Sequence, residues 1–118
     1  MEAGPFMLES KDAGTGTVVR MNYTVVRPEA LDDYKAALRT FITESMNTED
    51  GTLALMATTE KKHGNIFHTL EIYTDDAALA AHKNSAAYRT FMETTAPMIE
   101  EHTEIENLPT SITLSAKP

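Results

Sequence analysis

The stretch Leu70–Met92 constrains this chain most, because a strand, a capped turn and a helix succeed one another within it. The strand begins upstream, at Ile66, and is expected to run to Thr74. One side carries Ile66, His68, Leu70 and Ile72, and the other Phe67, Thr69, Glu71 and Tyr73. A strand with apolar bulk on both sides belongs in the middle of a sheet and is expected to be covered on both faces. Thr74 or Asp75 is placed to cap a helix, with Asp75 and Asp76 at its positive end. Ala77–Lys83 reads as a short helical piece, and Asn84-Ser85 as a break with a second cap. Tyr88, Phe91, Met92, Thr95 and Ile99 then recur at helical spacing, and Pro97 should kink or end that helix.

The rest of the chain arranges itself around this core. Thr17–Val26 is rich in β-branched residues and reads as a strand. One face holds Val19, Met21, Tyr23 and Val25; the other sets Arg20 and Asn22 among Val18, Thr24 and Val26. An amide in such company must find partners, so Asn22 is either a structural hydrogen-bonder or part of a site. Pro28 opens a helix at the turn where its missing N–H costs nothing. Leu31, Tyr34, Leu38, Phe41, Ile42 and Met46 form its apolar stripe, and Asn47–Gly51 should stop it, with Gly51 as a left-handed residue. Thr52–Thr59 alternates as a strand, Lys61–Asn65 reads as a hairpin turn, and Glu104–Leu114 as a last strand whose Pro109 suits an edge. Residues 1–16, with three Gly, one Pro and no periodicity, read as a flexible leader ahead of a single domain over 17–118.

The order is therefore β-α-β-β-α-β: an α+β, ferredoxin-like arrangement with an antiparallel sheet. Its helices cover one face of the sheet. The strands are apolar on both, and an uncovered apolar face is an interaction surface. A second copy of the same sheet is the simplest cover, so a homodimer packed face to face is expected.

Composition narrows the function. The 118 residues contain no cysteine, which removes thiolate catalysis, disulfides and cysteine-based metal sites. A net charge of -8 makes nucleic acid and anionic membrane poor partners, since phosphate neutralisation needs clustered Lys and Arg. No apolar run approaches a membrane span, and a soluble cytoplasmic protein is the expectation. Glycine-rich nucleotide loops, a G-x-S-x-G elbow and histidine–carboxylate metal spacings are all missing, so no metal and no cofactor are expected.

Four histidines remain. His63 falls in a turn and His102 in an acidic stretch, and both read as solvated. His68, in mid-strand, reads as a satisfied core or interface imidazole. His82 comes three residues after Leu79, which turns it toward the sheet, at the break between two helical pieces. There it is either a cap for the Asn84-Ser85 break or an acid–base group. Aromatic and methionine side chains, among them Phe41, Met56, Tyr73, Tyr88, Phe91 and Met92, either fill the core or line a cavity for a flat apolar ligand.

The run Glu71-x-Tyr73, Ala78-Leu79-x-x-His82-x-x-Ser85, Tyr88-x-x-Phe91 resembles the signature of the antibiotic biosynthesis monooxygenase domain family. That family commonly has Glu-x-Trp, then Ala-Leu-x-x-His-x-x-Ser, then an aromatic residue and a Phe. Pro28 after the first strand, and Glu49-Asp50-Gly51 where the family often has Glu-Pro-Gly, agree with it. By element order the resemblance spans about residues 17–115; its specific motif is confined to the stretch Glu71–Phe91. It implies a dimeric α+β barrel with a pocket between sheet and helices in each subunit. Members include cofactor-free oxygenases of quinol- or anthrone-like aromatics, haem-degrading enzymes and a sugar-phosphate isomerase branch. Asn22 matches a first-strand Asn of the haem-degrading branch, and His82 the family's usual helix histidine. The chain also departs from the pattern: Tyr73 replaces the usual Trp. The haem-degrading branch has Trp at the His82 position and its iron-ligand His at the Met92 position, so haem ligation from that helix has no support.

The resemblance thus implies a cofactor-independent monooxygenase acting on a small quinol- or anthrone-type aromatic with dioxygen. His82 would be its base, Asn22 a hydrogen-bond donor to the substrate oxygen, Arg20 a stabiliser of negative charge, and Phe41, Met56, Tyr73, Tyr88, Phe91 and Met92 the walls. Two alternatives stay open: an isomerase of a small hydroxy-ketone on the same fold, and a non-catalytic dimeric binding module with its cavity closed.

Overall fold

The computed structural model describes residues 17–107, and statements of absence refer to those residues. Strands β1 (Val18–Val26), β2 (Thr52–Thr59), β3 (Ile66–Tyr73) and β4 (Ile99–Asn107) form one antiparallel sheet in the order β2-β3-β1-β4. Helices α1 (Leu31–Thr48), α2 (Asp76–Lys83) and α3 (Ala86–Thr95) complete the expected α+β, ferredoxin-like arrangement. The leader, residues 1–16, and Pro109 lie outside the described residues.

Local chemistry explains the element boundaries. Pro28 starts a single 3-10 turn, Pro28–Ala30, that runs directly into α1. Asp75 caps α2 by accepting from Ala78 N, and Ser85 caps α3 by accepting from Tyr88 N. Asn84 closes α2, so the break expected at Asn84-Ser85 is where one helix ends and the next begins. Gly51 differs from expectation. Its backbone is not left-handed; instead, a Cβ there would collide with the Ala78 Cβ and crowd Thr74 Oγ1 at 3.0 Å. Glycine is needed because α2 passes close to the turn before β2.

The last strand also differs. It begins at Ile99 rather than Glu104, because the 3-10 turn Ala96–Met98, which contains Pro97, ends the helical run and launches the strand at once. Ile99, expected on α3, is the first residue of β4 and packs near Val26. The strand was hard to see because Glu100–Glu106 is exposed and mostly polar, as befits a sheet edge.

Cross-strand register assigns each side chain to a face. Val18, Arg20, Asn22, Thr24 and Val26 share theirs with Phe67, Thr69, Glu71 and Tyr73, and with His102, Glu104 and Glu106. This is the helix-covered face. Its apolar ends are two small clusters, Val18–Tyr73–Leu79 and Val26–Tyr34–Phe67, the second closed by Leu38 and Phe91. The opposite face carries Val19, Met21, Tyr23, Leu70, Met56 and Ile105 with no element of the described chain over it. Met21, Met56 and Ile105 are 46%, 44% and 54% exposed. Strand β3 is interior, as expected, but only one of its faces is covered within the chain.

Among the described residues no helix is long and apolar enough to cross a membrane.

Candidate active site

Between the two apolar clusters the covered face turns polar, and a cavity of about 60 Å³ opens there. Its floor is Arg20, Asn22 and Thr24 of β1 with Thr69 and Glu71 of β3. Tyr34, Leu38 and Phe41 of α1 and Tyr88, Phe91 and Met92 of α3 form its roof, and His102 and Glu104 of β4 its rim.

Glu71 organises the floor. Its Oε1 accepts from Arg20 Nε at 2.8 Å and from the Tyr73 hydroxyl at 2.6 Å, and its Oε2 from Asn22 Nδ2 at 2.7 Å. Asn22 Nδ2 also donates to Thr69 Oγ1 at 2.8 Å. Arg20 is 3% exposed and Glu71 7%, so the pair is buried and its charges must compensate each other. Burial alone would lower the Arg20 pKa; the hydrogen bond and charge of Glu71, with Glu104 behind them, hold it above its ordinary value. Burial and the neighbouring Glu71 carboxylate push the Tyr73 phenol far up, so it stays protonated and serves as a donor.

Two polar atoms on this floor have no hydrogen-bond partner: Arg20 Nη1 and Asn22 Oδ1. The carboxylates facing Arg20 Nη1 are Glu104 Oε1 at 3.6 Å and Glu106 Oε2 at 4.0 Å, both beyond hydrogen-bond length. The orientation of the Asn22 amide is settled by its partner, since a carboxylate only accepts and so faces the NH₂ group. Asn22 therefore offers the cavity an acceptor, not the donor expected of it. The free donor belongs to Arg20. Each buried polar group left unpaired costs about 1–3 kcal/mol, and a ligand or water that satisfied both would recover that.

His82 stands apart from this chemistry. It is 0% exposed, but it does not line the cavity. The rings of Phe41, Tyr73 and Tyr88 surround it, with centroids 5.2–5.4 Å away. Its Nδ1 donates to Glu49 Oε1 at 2.7 Å, and Thr52 Oγ1 donates to the same oxygen at 2.7 Å. Burial works against the Glu49 carboxylate, but the hydrogen bonds from His82 and Thr52 outweigh it and lower its pKa. The helical period correctly turned His82 inward; it gave no information on the side chains standing between it and the cavity. The pair ties the α1–β2 turn to α2 and backs the wall formed by Phe41 and Tyr88.

The remaining expected residues divide in the same way. Arg20, Asn22, Phe41, Tyr88, Phe91 and Met92 line the cavity. Tyr73 lies behind it and acts on Glu71. Met56 is a correction: its register partner is Leu70, so it lies on the open face, away from the helices. His68, expected to be a core or interface imidazole, is exposed on that same face, bonded to Glu60 Oε2 at 2.8 Å and edge-on to Tyr23.

Thr24, Thr69, Tyr34, Leu38, His102 and Glu104 complete the cavity without having been taken as site residues from sequence, and Glu71, which opens the signature stretch but was assigned to neither face, lies on its floor. His102, read as solvated, is register partner to Thr24, and its Nδ1 is 2.9 Å from Thr24 Oγ1. The signal was present as the alternation His102, Glu104, Glu106, but it becomes a strand only when β4 starts at Ile99.

Comparison with known proteins accords with this architecture. The model of the antibiotic biosynthesis monooxygenase family matches residues 17–94, and the chain belongs to that family. A protein from Bacteroides thetaiotaomicron, assigned by name to the antibiotic biosynthesis monooxygenases, is 33% identical; the match covers 88% of this chain and 99% of that one, with a TM-score of 0.82. A similarly named protein from Nitrosomonas europaea shares the fold at 24% identity, covering 81% and 95% of the two chains with a TM-score of 0.74. Rv0793 from Mycobacterium tuberculosis does so at 20% identity, covering 83% and 99%, with a TM-score of 0.75. No curated protein matches the chain by sequence.

Proposed function

We propose that this chain is a homodimeric, cofactor-independent monooxygenase of a small quinol-type substrate, with the cavity over Arg20, Asn22 and Glu71 as its active site. The observation that carries this reading is the pair of buried, unpartnered atoms on the cavity floor, Arg20 Nη1 and Asn22 Oδ1. They are one donor and one acceptor, on cavity-lining residues two apart along β1, and they suit a ligand carrying a hydroxyl and an oxygen that gains negative charge. The hydroxyl donates to Asn22 Oδ1 while Arg20 Nη1 receives the developing oxyanion. Dioxygen attacks such an anion because it is electron-rich. With an anthrone a CH₂ group becomes C=O, and with a quinol a ring C–H becomes C–OH as the quinol passes to the quinone; in both, one atom of dioxygen is retained and the other leaves as water. Tyr88, Phe91 and Met92 hold the ring of the substrate. Met92, 39% exposed at the cavity mouth, is the flexible side chain that gives way to it.

The size of the cavity favours the smallest substrates. About 60 Å³ holds a few water-sized atoms, against roughly 300–1,000 Å³ for sites of drug-sized ligands. That observation supports isomerisation of a small hydroxy-ketone as the second reading, since an enediol presents the same donor–acceptor pair. The open apolar face supports the homodimer: Met21, Met56 and Ile105 would be withdrawn from water by a second copy.

Oxygen uptake with reduced menadione and with 1,8-dihydroxyanthrone, beside glyceraldehyde–dihydroxyacetone interconversion, separates the readings. The first is expected to respond with at least one quinol-type compound and to fall more than 100-fold in Asn22→Leu and in Arg20→Met. No wild-type oxygen uptake with either quinol-type compound, or variants as active as the parent, would overturn it.

A further inference from the structure

The cavity needs a way for a proton to leave, and the nearest candidates for that task are unsuited to it. His82 does not line the cavity and is enclosed by three aromatic rings. Both oxygens of Glu71 are already occupied, accepting from Arg20, Asn22 and Tyr73. Tyr73 is occupied as a donor to Glu71.

We propose that Thr24, His102 and Glu104 form a proton path from the cavity floor to solvent, with His102 as its catalytic imidazole. The inference rests on the active site assigned under Proposed function. Thr24 is 3% exposed and lines the cavity, while the His102 and Glu104 side chains are 34% and 35% exposed at its rim. The three are connected: Thr24 Oγ1 to His102 Nδ1 at 2.9 Å, and His102 Nε2 to Glu104 Oε2 at 3.2 Å. Register fixes the arrangement, because Thr24 pairs with His102 and Asn22 with Glu104 across β1 and β4.

The partners set the direction of transfer. A carboxylate accepts, so Nε2 of His102 carries the hydrogen facing Glu104. In the neutral ring Nδ1 is then the acceptor, and the Thr24 hydroxyl donates to it. The substrate O–H breaks as its proton passes to Thr24 Oγ1. The Thr24 O–H breaks as its proton passes to His102 Nδ1, and Nε2 releases its own proton to Glu104 Oε2. Glu104 then loses that proton to water. One proton enters, one leaves, and the substrate keeps the electron pair as an oxyanion beside Arg20. The ring is left with hydrogen on Nδ1; the relay resets when Nε2 takes a proton from solvent and the Nδ1 proton returns through Thr24 to the oxygen that leaves as water. An imidazole suits this step because it takes and gives protons near neutral pH through two different nitrogens.

The groups facing this path are few. From β1 there are Thr24 and Arg20, whose Nη1 is 3.6 Å from Glu104 Oε1; from β4, Glu104 and Glu106; from β3, Glu71; from α1, Tyr34; and from α3, Tyr88. Burial holds the Tyr34 phenol above its ordinary value, so Tyr34 stays protonated and does not compete for the proton. Arg20 is the only cation in this set.

Two measurements test the path. Imidazole ¹⁵N spectra of the full chain at neutral pH, assigned through His102→Gln, are expected to show His102 with hydrogen on Nε2 and an unprotonated Nδ1. Hydrogen on Nδ1 instead would overturn the path, since no proton could then enter there. The second is turnover of reduced menadione or 1,8-dihydroxyanthrone. His102→Ala is expected to lower kcat at least 10-fold with KM within about twofold, and added imidazole to restore much of kcat. Thr24→Val is expected to lower kcat without imidazole rescue, because it cuts the path upstream. An unchanged kcat in His102→Ala would overturn the assignment. If the wild type turns over neither compound, the proposed substrate class fails, and the tautomer alone decides the path.

Discussion

The two faces of the sheet invert the usual expectation. The face covered by helices holds Arg20, Asn22, Thr24, Thr69 and Glu71 at its centre, whereas the face open to water holds Val19, Met21, Tyr23, Leu70 and Ile105. A fold built only to bury apolar surface would place them the other way round. The covered face gives up apolar burial at its centre for a polar network with two unpaired atoms. The open face leaves its apolar side chains uncovered by any element of the described residues. The proposed active site and the proposed self-association surface therefore lie on opposite sides of the same strands, so that each can be perturbed separately.

The largest effect should come from the covered face. Glu71→Ala leaves Arg20 buried without its carboxylate and removes the acceptor of Asn22 and Tyr73. Breaking a buried pair in this way costs about 3–5 kcal/mol. Denaturant unfolding of Glu71→Ala should show a loss in that range. The Arg20→Met/Glu71→Ala double variant should cost less than the sum of the two single ones, because it removes both charges. A sum that is simply additive would mean that the pair does not interact as the 2.8 Å contact implies.

On the open face, Met21→Asp should leave the cavity intact and weaken self-association. Burying one such apolar side chain is worth about 1.5–3 kcal/mol, which corresponds to roughly a 10- to 150-fold change in dissociation constant. Sedimentation at micromolar concentration should give twice the chain mass for the wild type and a lower average for Met21→Asp. A wild-type monomer would sink the proposed dimer.

The sequence made most of the fold legible, for reasons that can be traced to individual residues. Asp75 and Ser85 are local caps, and their roles depend only on neighbours three residues away. Arg20 and Asn22 were visible as site candidates because each is polar on a strand face that is otherwise apolar or hydroxylated. Glu71 was not assignable. Whether it or His68 shares a face with Asn22 depends on the pairing of β1 with β3, and a slip of one residue exchanges them. The observed pairing, Asn22 with Thr69 and Arg20 with Glu71, places Glu71 in the site and His68 on the open face. His102 was obscured for a second reason: an edge strand exposed to water lacks the apolar alternation that reveals strands. Gly51 illustrates a third, since a close approach by α2 is a tertiary fact that no local rule contains.

The Glu49–His82 contact gives a smaller effect, seen through pH. The folded-state pKa of Glu49 is lowered, so its contribution is complete above the ordinary carboxylate range and is lost as pH falls through the folded value. Glu49→Gln should therefore be about 1 kcal/mol less stable than the wild type at neutral pH, with the gap closing in acid, where Glu49 is itself neutral. Thermal unfolding across an acid-to-neutral series measures it. A gap independent of pH would assign the loss to packing rather than to the charged hydrogen bond.

The smallest effect should come from two methionines of similar exposure, Met56 at 44% and Met92 at 39%. Exposure alone would treat them alike, but the register and the cavity separate them. Met92 lines the cavity mouth, so Met92→Ala should widen it and change KM for reduced menadione about two- to fivefold, with little effect on self-association. Met56 lies beside Leu70 on the open face, so Met56→Ala should leave KM unchanged and weaken self-association by a similar small factor. Each loses only part of an apolar side chain that is already half solvated, which is worth on the order of 1 kcal/mol or less. If Met56→Ala altered KM as much as Met92→Ala did, the two faces would be coupled through the sheet, and the separation drawn between them would fail.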